Sequence, residues 1–216
     1  ASPAIWISSC APSRMRVPEV GRPTVPSRDA PGMLAVPAFA PVGGWPLLFL
    51  SLYLLARLWL HDDPRQMALD GWWYGLGLFG AGASWVYVSM ADFGAMHPLL
   101  AASATFLFCA FLALFPALSG WLSAKLSRPG ILRLVWTAPA AWTLMEWLRS
   151  TVLSGFPWLS LGYVHVPEGW LAGYAPVLGV YGLSWLSMVS AGALVWLFQA
   201  AWTPRWLAPL ALLFAV

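Results

Sequence analysis

The sequence has 216 residues, of which 60% are hydrophobic and 9% charged, and its formal net charge is +3. An average soluble domain is about 45–50% apolar and about 25% charged, and a chain of this length cannot bury so large an apolar excess. The composition therefore excludes an ordinary soluble enzyme, a disordered protein and a nucleic-acid-binding protein. With only Cys10 and Cys109, a disulfide scaffold is excluded too. The remaining class is an all-α polytopic membrane protein.

Residues 1–33 differ in composition from the rest of the chain. They contain six prolines and four arginines and show no apolar periodicity. This pattern predicts a disordered Pro/Arg-rich tail. It is not the pattern of a signal peptide, because no apolar segment follows a basic start. We therefore place the membrane domain at residues 34–216.

Six apolar segments of helical length follow the tail and are separated by polar loops. An apolar helix of about 20 residues crosses a bilayer core of roughly 30 Å. The sequence therefore predicts a bundle of about six transmembrane helices, the last of which is cut off at Val216. The predicted spans cover 45–60, 66–91, 99–122, 134–148, 174–198 and a stretch that starts near residue 206.

Basic residues are concentrated in alternate loops, which hold six of them, whereas the opposite loops hold Arg149 alone. Cytoplasmic loops of membrane proteins carry an excess of Lys and Arg. The charges therefore place loop 92–98 and the segment 149–173 on the outer side of the membrane. They also place the start of the first predicted span outside, so a further span is expected upstream. The six residues are Arg57, Arg65, Lys125, Arg128, Arg133 and Arg205.

Two charged residues lie near the outer end of the fourth predicted span. Glu146 and Arg149 are three positions apart, so they share a helix face and can pair. Charges at membrane depth usually face a protein interior or a wet cavity. The pair is either a functional site or a structural ion pair that fixes the helix end. Residues 154–158 follow, and Gly155 and Pro157 predict a re-entrant or surface-lying segment there.

The second predicted span contains three glycines on one face, Gly71, Gly75 and Gly82, and small residues so spaced let another helix approach closely. The G-x-G-x-x-G pattern that begins at Gly75 is not a dinucleotide site, because no strand precedes it. Asp70 lies near the start of the span, and we expect it to favour the helix dipole rather than to relay protons.

Metal ligands and a catalytic set are not recognisable in this sequence. His61, His97 and His165 lie in predicted loops, and none has a second His or Cys at metal-ligand spacing. Lone serines such as Ser84 and Ser184 have no base nearby in the sequence, so no catalytic triad can be assembled. We therefore predict no metal, no cofactor and no catalytic residue in this chain.

Three ordered motifs resemble the membrane part of bacterial apolipoprotein N-acyltransferases. The first is GLFGAGASWVYVS at 77–89. The second runs from Glu146-Trp147-Leu148-Arg149 to Leu159 and includes the sequence SGFPWL. The third is Leu161-Gly162-Tyr163 followed by APVLGVYG at 175–182. The resemblance covers about 34–216.

The resemblance implies an acyltransferase of the bacterial inner membrane. Members of this family transfer a fatty acyl chain from a phospholipid to the N-terminal amine of a diacylated lipoprotein. Their nitrilase-like domain, with a Glu-Lys-Cys catalytic set, lies on the periplasmic side and follows the span that begins here near residue 206. None of those residues can be placed on this sequence, so we expect the chain alone to be inactive. The implied partners are the phospholipid donor, the lipoprotein acceptor and the bilayer, with no nucleic acid.

The resemblance and the orientation together predict the floor of a lipid chamber at the outer ends of the spans. Aromatic faces suit acyl chains, and an arginine suits a phosphate. A small transporter that uses Asp70, Glu146 and Arg149 as intramembrane polar sites is one alternative, and a non-catalytic membrane scaffold is another. The predicted lipid-binding residues are Trp85, Tyr87, Glu146, Arg149, Phe156 and Trp158.

Overall fold

A computed structural model describes residues 27–39, 41–166 and 169–202, the side chains of 199–202 excepted. Within these ranges the chain is helical and contains no strand, which confirms the predicted all-α class. Shorter helical turns connect the main helices. The main helices are α1 (Ala30–Ala35), α2 (Trp45–Leu58), α3 (Pro64–Gly82), α4 (Trp85–Val88), α5 (Pro98–Leu126), α6 (Ala138–Arg149) and α7 (Ala175–Trp202).

Each of the five predicted spans within the described ranges overlaps one or more helices. The second predicted span, 66–91, is interrupted, because the backbone leaves the helical conformation at Ala83, between α3 and α4. The fourth begins with a turn, Arg133–Thr137, that widens the helix before α6. The start of the sixth predicted span lies outside the described residues.

Two helices in the described part of the chain are long and apolar enough to cross a bilayer. They are α5 and the stretch Ala172–Phe198, and 18 consecutive residues of each have a mean hydropathy of 2.1 and 1.5, respectively. Only 22% and 33% of these 18-residue stretches are buried. The core helix of a soluble protein would be mostly covered, so these exposed apolar faces suit lipid better than water. α2 is apolar but has only 14 residues.

The glycines of α3 bring this helix against α5. A Cβ atom added at Gly75 would lie 2.7 Å from the Cα of Ala113, and one added at Gly71 would overlap the α5 backbone. The predicted packing role of these two glycines is confirmed. A Cβ at Gly82 would instead lie 2.5 Å from the Leu159 side chain, in the segment that follows α6.

The packed part of the chain begins earlier than the sequence predicted. The boundary at residue 34 falls inside α1, so disorder up to residue 33 is wrong for residues 30–33. Gly32 packs directly against the backbone of Tyr74 in α3. The Ser51 hydroxyl of α2 donates a hydrogen bond of 2.5 Å to the Pro31 carbonyl. Residues 1–26 lie outside the described part.

Asp70 does not have the role that the sequence predicted. It is the seventh residue of α3, beyond the first turn, and the residue that caps this helix is Asp63, whose carboxylate accepts a hydrogen bond from the Arg65 amide. Asp70 is buried, and its carboxylate lies 3.5 Å from the Arg28 guanidinium. This ion pair therefore connects the residues that precede α1 with helix α3.

The helices alternate between two ends of the bundle. At one end, the buried Arg133 donates hydrogen bonds to the carbonyls of His61, after α2, and Ser127, after α5. We call this the basic end, because Arg57, Arg65, Lys125 and Arg128 lie at the same helix ends. The opposite end, called here the aromatic end, comprises the end of α3, α4, the start of α5, the end of α6 and residues 150–174.

Candidate functional site

Residues 150–174, called here the connecting segment, join α6 to α7 at the aromatic end. The φ angles are +52° at Leu153, +71° at Ser154 and +60° at Leu159, and Gly155 lies at +79°. A non-glycine residue in this region costs on the order of 1–3 kcal/mol and persists only where the surroundings fix it. The contacts that fix this segment come from α6 and α7.

Arg149, the last residue of α6, binds the main chain of the connecting segment. Its Nη1 donates to the carbonyls of Phe156 and Trp158, the latter at 2.6 Å, and its Nη2 donates to Ser160 Oγ at 3.2 Å. The Phe156 amide donates in return to the Arg149 carbonyl at 2.9 Å. The Arg149 side chain is only 4% exposed. Carbonyl and hydroxyl oxygens therefore solvate its charge inside the protein.

Glu146 completes this arrangement from the preceding turn of α6. Its Oε1 accepts a hydrogen bond of 2.8 Å from the Leu161 amide and lies 3.9 Å from Arg149 Nη2. This confirms that the two residues share a face and pair. Glu146, whose second carboxylate oxygen is Oε2, lines a small cavity together with Trp142. Neither this oxygen nor the Trp142 indole nitrogen makes a hydrogen bond of standard geometry to another described group.

An exposed aromatic pair lies directly above the buried polar groups. The Trp85 ring, on α4, meets the Trp158 ring edge to face, with 5.8 Å between centroids. These side chains are 47% and 52% exposed. Phe156, two positions before Trp158, is half-buried. Its ring meets that of Phe108 of α5 edge to face, with 5.0 Å between centroids. The rings of α4, α5 and the connecting segment thus form two edge-to-face pairs, one exposed and one half-buried, which together are called here the aromatic surface.

Serines of α7 hold the other side of the connecting segment. The Gly162 amide donates to Ser184 Oγ at 2.9 Å, and the His165 ring bonds Ser187 Oγ through Nε2 at 2.7 Å. His165 lies outside the predicted spans, and burial lowers the pKa of its imidazole. The α7 hydroxyls thus fix the part of the segment that Arg149 does not reach.

Five of the six predicted lipid-binding residues come together in this site. Trp85 and Trp158 form the exposed pair, Phe156 lies beside it, and Glu146 and Arg149 lie beneath. Tyr87 is on α4 and 36% exposed, but its side chain makes no hydrogen bond or ring contact with any described residue.

Sequence reasoning missed the polar residues that secure the site, namely Ser160, Ser184 and Ser187. The signal was present for two of them, because Ser184 and Ser187 are three positions apart in an apolar helix, where hydroxyls need partners. Ser160 carried no such signal, because it lies in an irregular segment. Phe79, 5.1 Å beneath the Arg149 guanidinium, was likewise not predicted.

The arrangement offers a shaped apolar surface rather than a reactive group. Cys109 is buried in α5, with its thiol directed to the Phe79 carbonyl at 3.5 Å. In the described ranges, no group of three or more His, Cys, Asp or Glu side chains is placed to hold a metal ion. What the site can do is contact an apolar ligand through rings whose positions are fixed from below.

The fold and the site define an all-helical membrane protein with an exposed aromatic surface at one end. A family model described as the apolipoprotein N-acyltransferase N-terminal domain matches residues 31–193. The chain therefore belongs to the apolipoprotein N-acyltransferase family and corresponds to its N-terminal domain.

Relatives in several bacteria support this assignment. The chain is 48% identical over 181 residues to the apolipoprotein N-acyltransferase of Nitrosomonas europaea, which covers 82% of this chain and 34% of the relative. It is 50% identical over 171 residues to that of Methylococcus capsulatus, covering 78% and 34%. With the Vibrio cholerae protein the identity is 39% over 178 residues, covering 82% and 34%. The chain thus spans about a third of the length of these relatives.

Proposed function

We propose that this chain is the membrane domain of an enzyme that transfers a fatty acyl chain from a phospholipid to the N-terminal amine of a diacylated bacterial lipoprotein. The observation that carries the proposal is the family match over 31–193, together with relatives named apolipoprotein N-acyltransferase. We place the chemistry in the remaining two thirds of such an enzyme, because covalent acyl transfer needs an activated nucleophile and Cys109, in the described part of this domain, is buried. The chain alone is therefore inactive.

The domain lies in the inner membrane, crosses it about six times and directs its aromatic end to the periplasm. Three observations support this placement: the two long apolar helices, the overlap of each described predicted span with a helix, and the basic residues at one end. Basic loops stay on the cytoplasmic side.

The aromatic surface receives the acyl chains of the lipid substrates. Trp85, Trp158 and Phe156 supply flat apolar faces at the level where α4, α5 and the connecting segment meet. Tyr87 lies on the same short helix as Trp85 and extends the surface. Glu146 and Arg149 support this surface from the interior.

The transporter alternative gains no support from the polar groups on which it depended. Asp70 pairs with Arg28, while Glu146 and Arg149 bind the connecting segment. These charges serve contacts within the protein and do not line an open path through the described part.

The test is to replace Trp85 and Trp158 by Ala, one at a time, in the full-length enzyme reconstituted in phospholipid vesicles. We expect kcat/KM for acyl transfer to a diacylated peptide to fall about tenfold, because an aromatic contact and its apolar area are lost, while the folded fraction changes little. Trp121→Ala, at a residue 42% exposed near the basic end, is the matched control. Equal losses of activity and folded protein, or an equal effect of Trp121→Ala, would refute the assignment of this surface.

A further inference from the structure

The sequence suggested that Arg149 binds a lipid phosphate, but the structure directs its guanidinium inward. Nη1 is shared between the carbonyls of Phe156 and Trp158, Nη2 donates to Ser160 Oγ, and the guanidinium carbon lies 5.1 Å above the Phe79 ring. To reach a phosphate, Arg149 would have to leave two part-buried carbonyls without the partner that they have in the structure. Unpaired buried acceptors are costly.

We propose that Arg149, together with Glu146, is a positioning residue for lipid recognition. The pair fixes the main chain of 156–161 and thereby holds the Trp158 ring against Trp85, while the lipid phosphate is bound elsewhere. The lipid part of this inference rests on the proposed function. The structural part does not depend on it.

Three features of the site support a positioning role. The bonds from Arg149 reach main-chain carbonyls, so they fix the path of the backbone whatever side chain stands at 158. Glu146 fixes the far end of the same stretch through the Leu161 amide. The left-handed residue Leu159 lies between these anchor points, and this backbone needs surroundings that hold it.

The substitution Arg149→Lys distinguishes a phosphate-binding role of this residue from a positioning role. A lysine serves as a point charge for a phosphate, but it cannot reproduce the planar fork that binds several acceptors at once. A phosphate-binding role therefore tolerates Arg149→Lys, and a positioning role does not.

The structural arm measures amide hydrogen exchange in the full-length enzyme in phospholipid nanodiscs. We expect the amides of Phe156 and Leu161 to exchange about tenfold faster in Arg149→Lys, since they lose the order that the fork imposes. Trp158→Ala should leave them unchanged, because Arg149 binds the carbonyl of residue 158 and not its ring. Arg57→Lys, at a half-buried arginine of the basic end, controls for the effect of replacing any arginine by a lysine. Ser160→Ala removes one hydrogen bond to Arg149 and should give a smaller increase in the exchange rate. This variant provides the test if Arg149→Lys fails to fold.

The functional arm measures acyl transfer by the same variants. We expect Arg149→Lys to raise the KM for the phospholipid donor about as much as Trp158→Ala does. Normal exchange and normal transfer in Arg149→Lys would overturn the positioning role and favour phosphate binding. Fast exchange with unchanged transfer in both variants would keep the structural role but overturn the proposed use of this surface for lipid.

Discussion

The imidazole of His165 is an example of a titratable group whose surroundings are almost entirely apolar. Its Nε2 bonds Ser187, its ring lies 5.9 Å from that of Phe49, and its Nδ1 has no hydrogen-bond partner in the described part of the chain. Protonation would place a charge there, so burial lowers the pKa of His165 below its ordinary value. The folded protein thus binds this proton more weakly than the unfolded chain does.

The stability of the domain should therefore fall as the pH is lowered through the range below the ordinary histidine pKa. The unfolded chain takes up a proton there and the folded protein does not, so unfolding becomes easier between about pH 7 and pH 5. The melting temperature of the purified protein in detergent, measured across this range, tests the expectation.

Two substitutions isolate the contribution of His165 to this pH dependence. His165→Gln retains a hydrogen-bonding group for Ser187 but cannot titrate, so it should flatten the curve. His97→Gln, at an exposed histidine, is the matched control for the substitution itself. If His165→Gln showed the full pH dependence of the unsubstituted protein, the assignment to this histidine would be wrong.

At the scale of elements, hydrophobic runs predicted where helices lie, because each helix needs an apolar face of its own. The break between α3 and α4 was not predictable in this way. No proline marks it, and Gly82 at the end of α3 is packed against Leu159, which is remote in sequence. Residues 30–33 were assigned to the tail because their composition resembles that of the residues before them. They are helical in the structure, where the packing of α1 depends on Gly32.

The candidate site was predictable only in part, for a related physical reason. Residue types indicated that Glu146 and Arg149 pair and that aromatic residues gather nearby. The acceptors of the Arg149 fork are main-chain carbonyls, and a sequence pattern does not reveal where carbonyls point. The structure was therefore needed to separate a residue that binds phosphate from one that fixes a backbone.

The contact between α3 and α5 allows a matched pair of glycine substitutions. Gly75→Ala places a methyl group 2.7 Å from the Ala113 Cα and must move one helix, so we expect a loss of about 1–3 kcal/mol of stability. Gly80→Ala, on the same helix, meets nothing within 4 Å. It should be neutral or stabilise by up to about 1 kcal/mol, since alanine favours a helix.

Unfolding of both variants in mixed detergent micelles, followed by circular dichroism, gives the two free energies of unfolding. Both substitutions add the same methyl group, so their difference reports the helix contact alone. Equal stabilities would mean that α3 and α5 do not meet at Gly75 as closely as described.

At the scale of the whole molecule, a buried arginine secures each end of the bundle. Arg133 joins the carbonyls that follow α2 and α5 at the basic end, and Arg149 joins α6 to the connecting segment at the aromatic end. Both satisfy main-chain oxygens that helix termini and loops leave without partners. The ends differ in charge: Arg57, Arg65, Lys125 and Arg128 lie at the basic end, whereas Arg149 at the aromatic end is buried.

This difference between the ends predicts the orientation of the domain in the membrane. Leu153 and Phe93 are 79% and 86% exposed at the aromatic end, and Leu126 is 64% exposed at the basic end. Each is changed to Cys, one at a time, in a background with Cys10→Ser and Cys109→Ser. The probe is a membrane-impermeant maleimide, applied to intact spheroplasts that express the protein and, in parallel, to lysed ones.

We expect labelling of Leu153→Cys and Phe93→Cys in intact spheroplasts and labelling of Leu126→Cys only after lysis, because basic loops remain cytoplasmic. Lysed samples show that all three thiols are reactive, which controls for access. The reverse pattern would place the Trp85–Trp158 surface in the cytoplasm. A lipoprotein acceptor on the periplasmic side would then never meet it, and the proposed role of the aromatic end would fail together with its orientation.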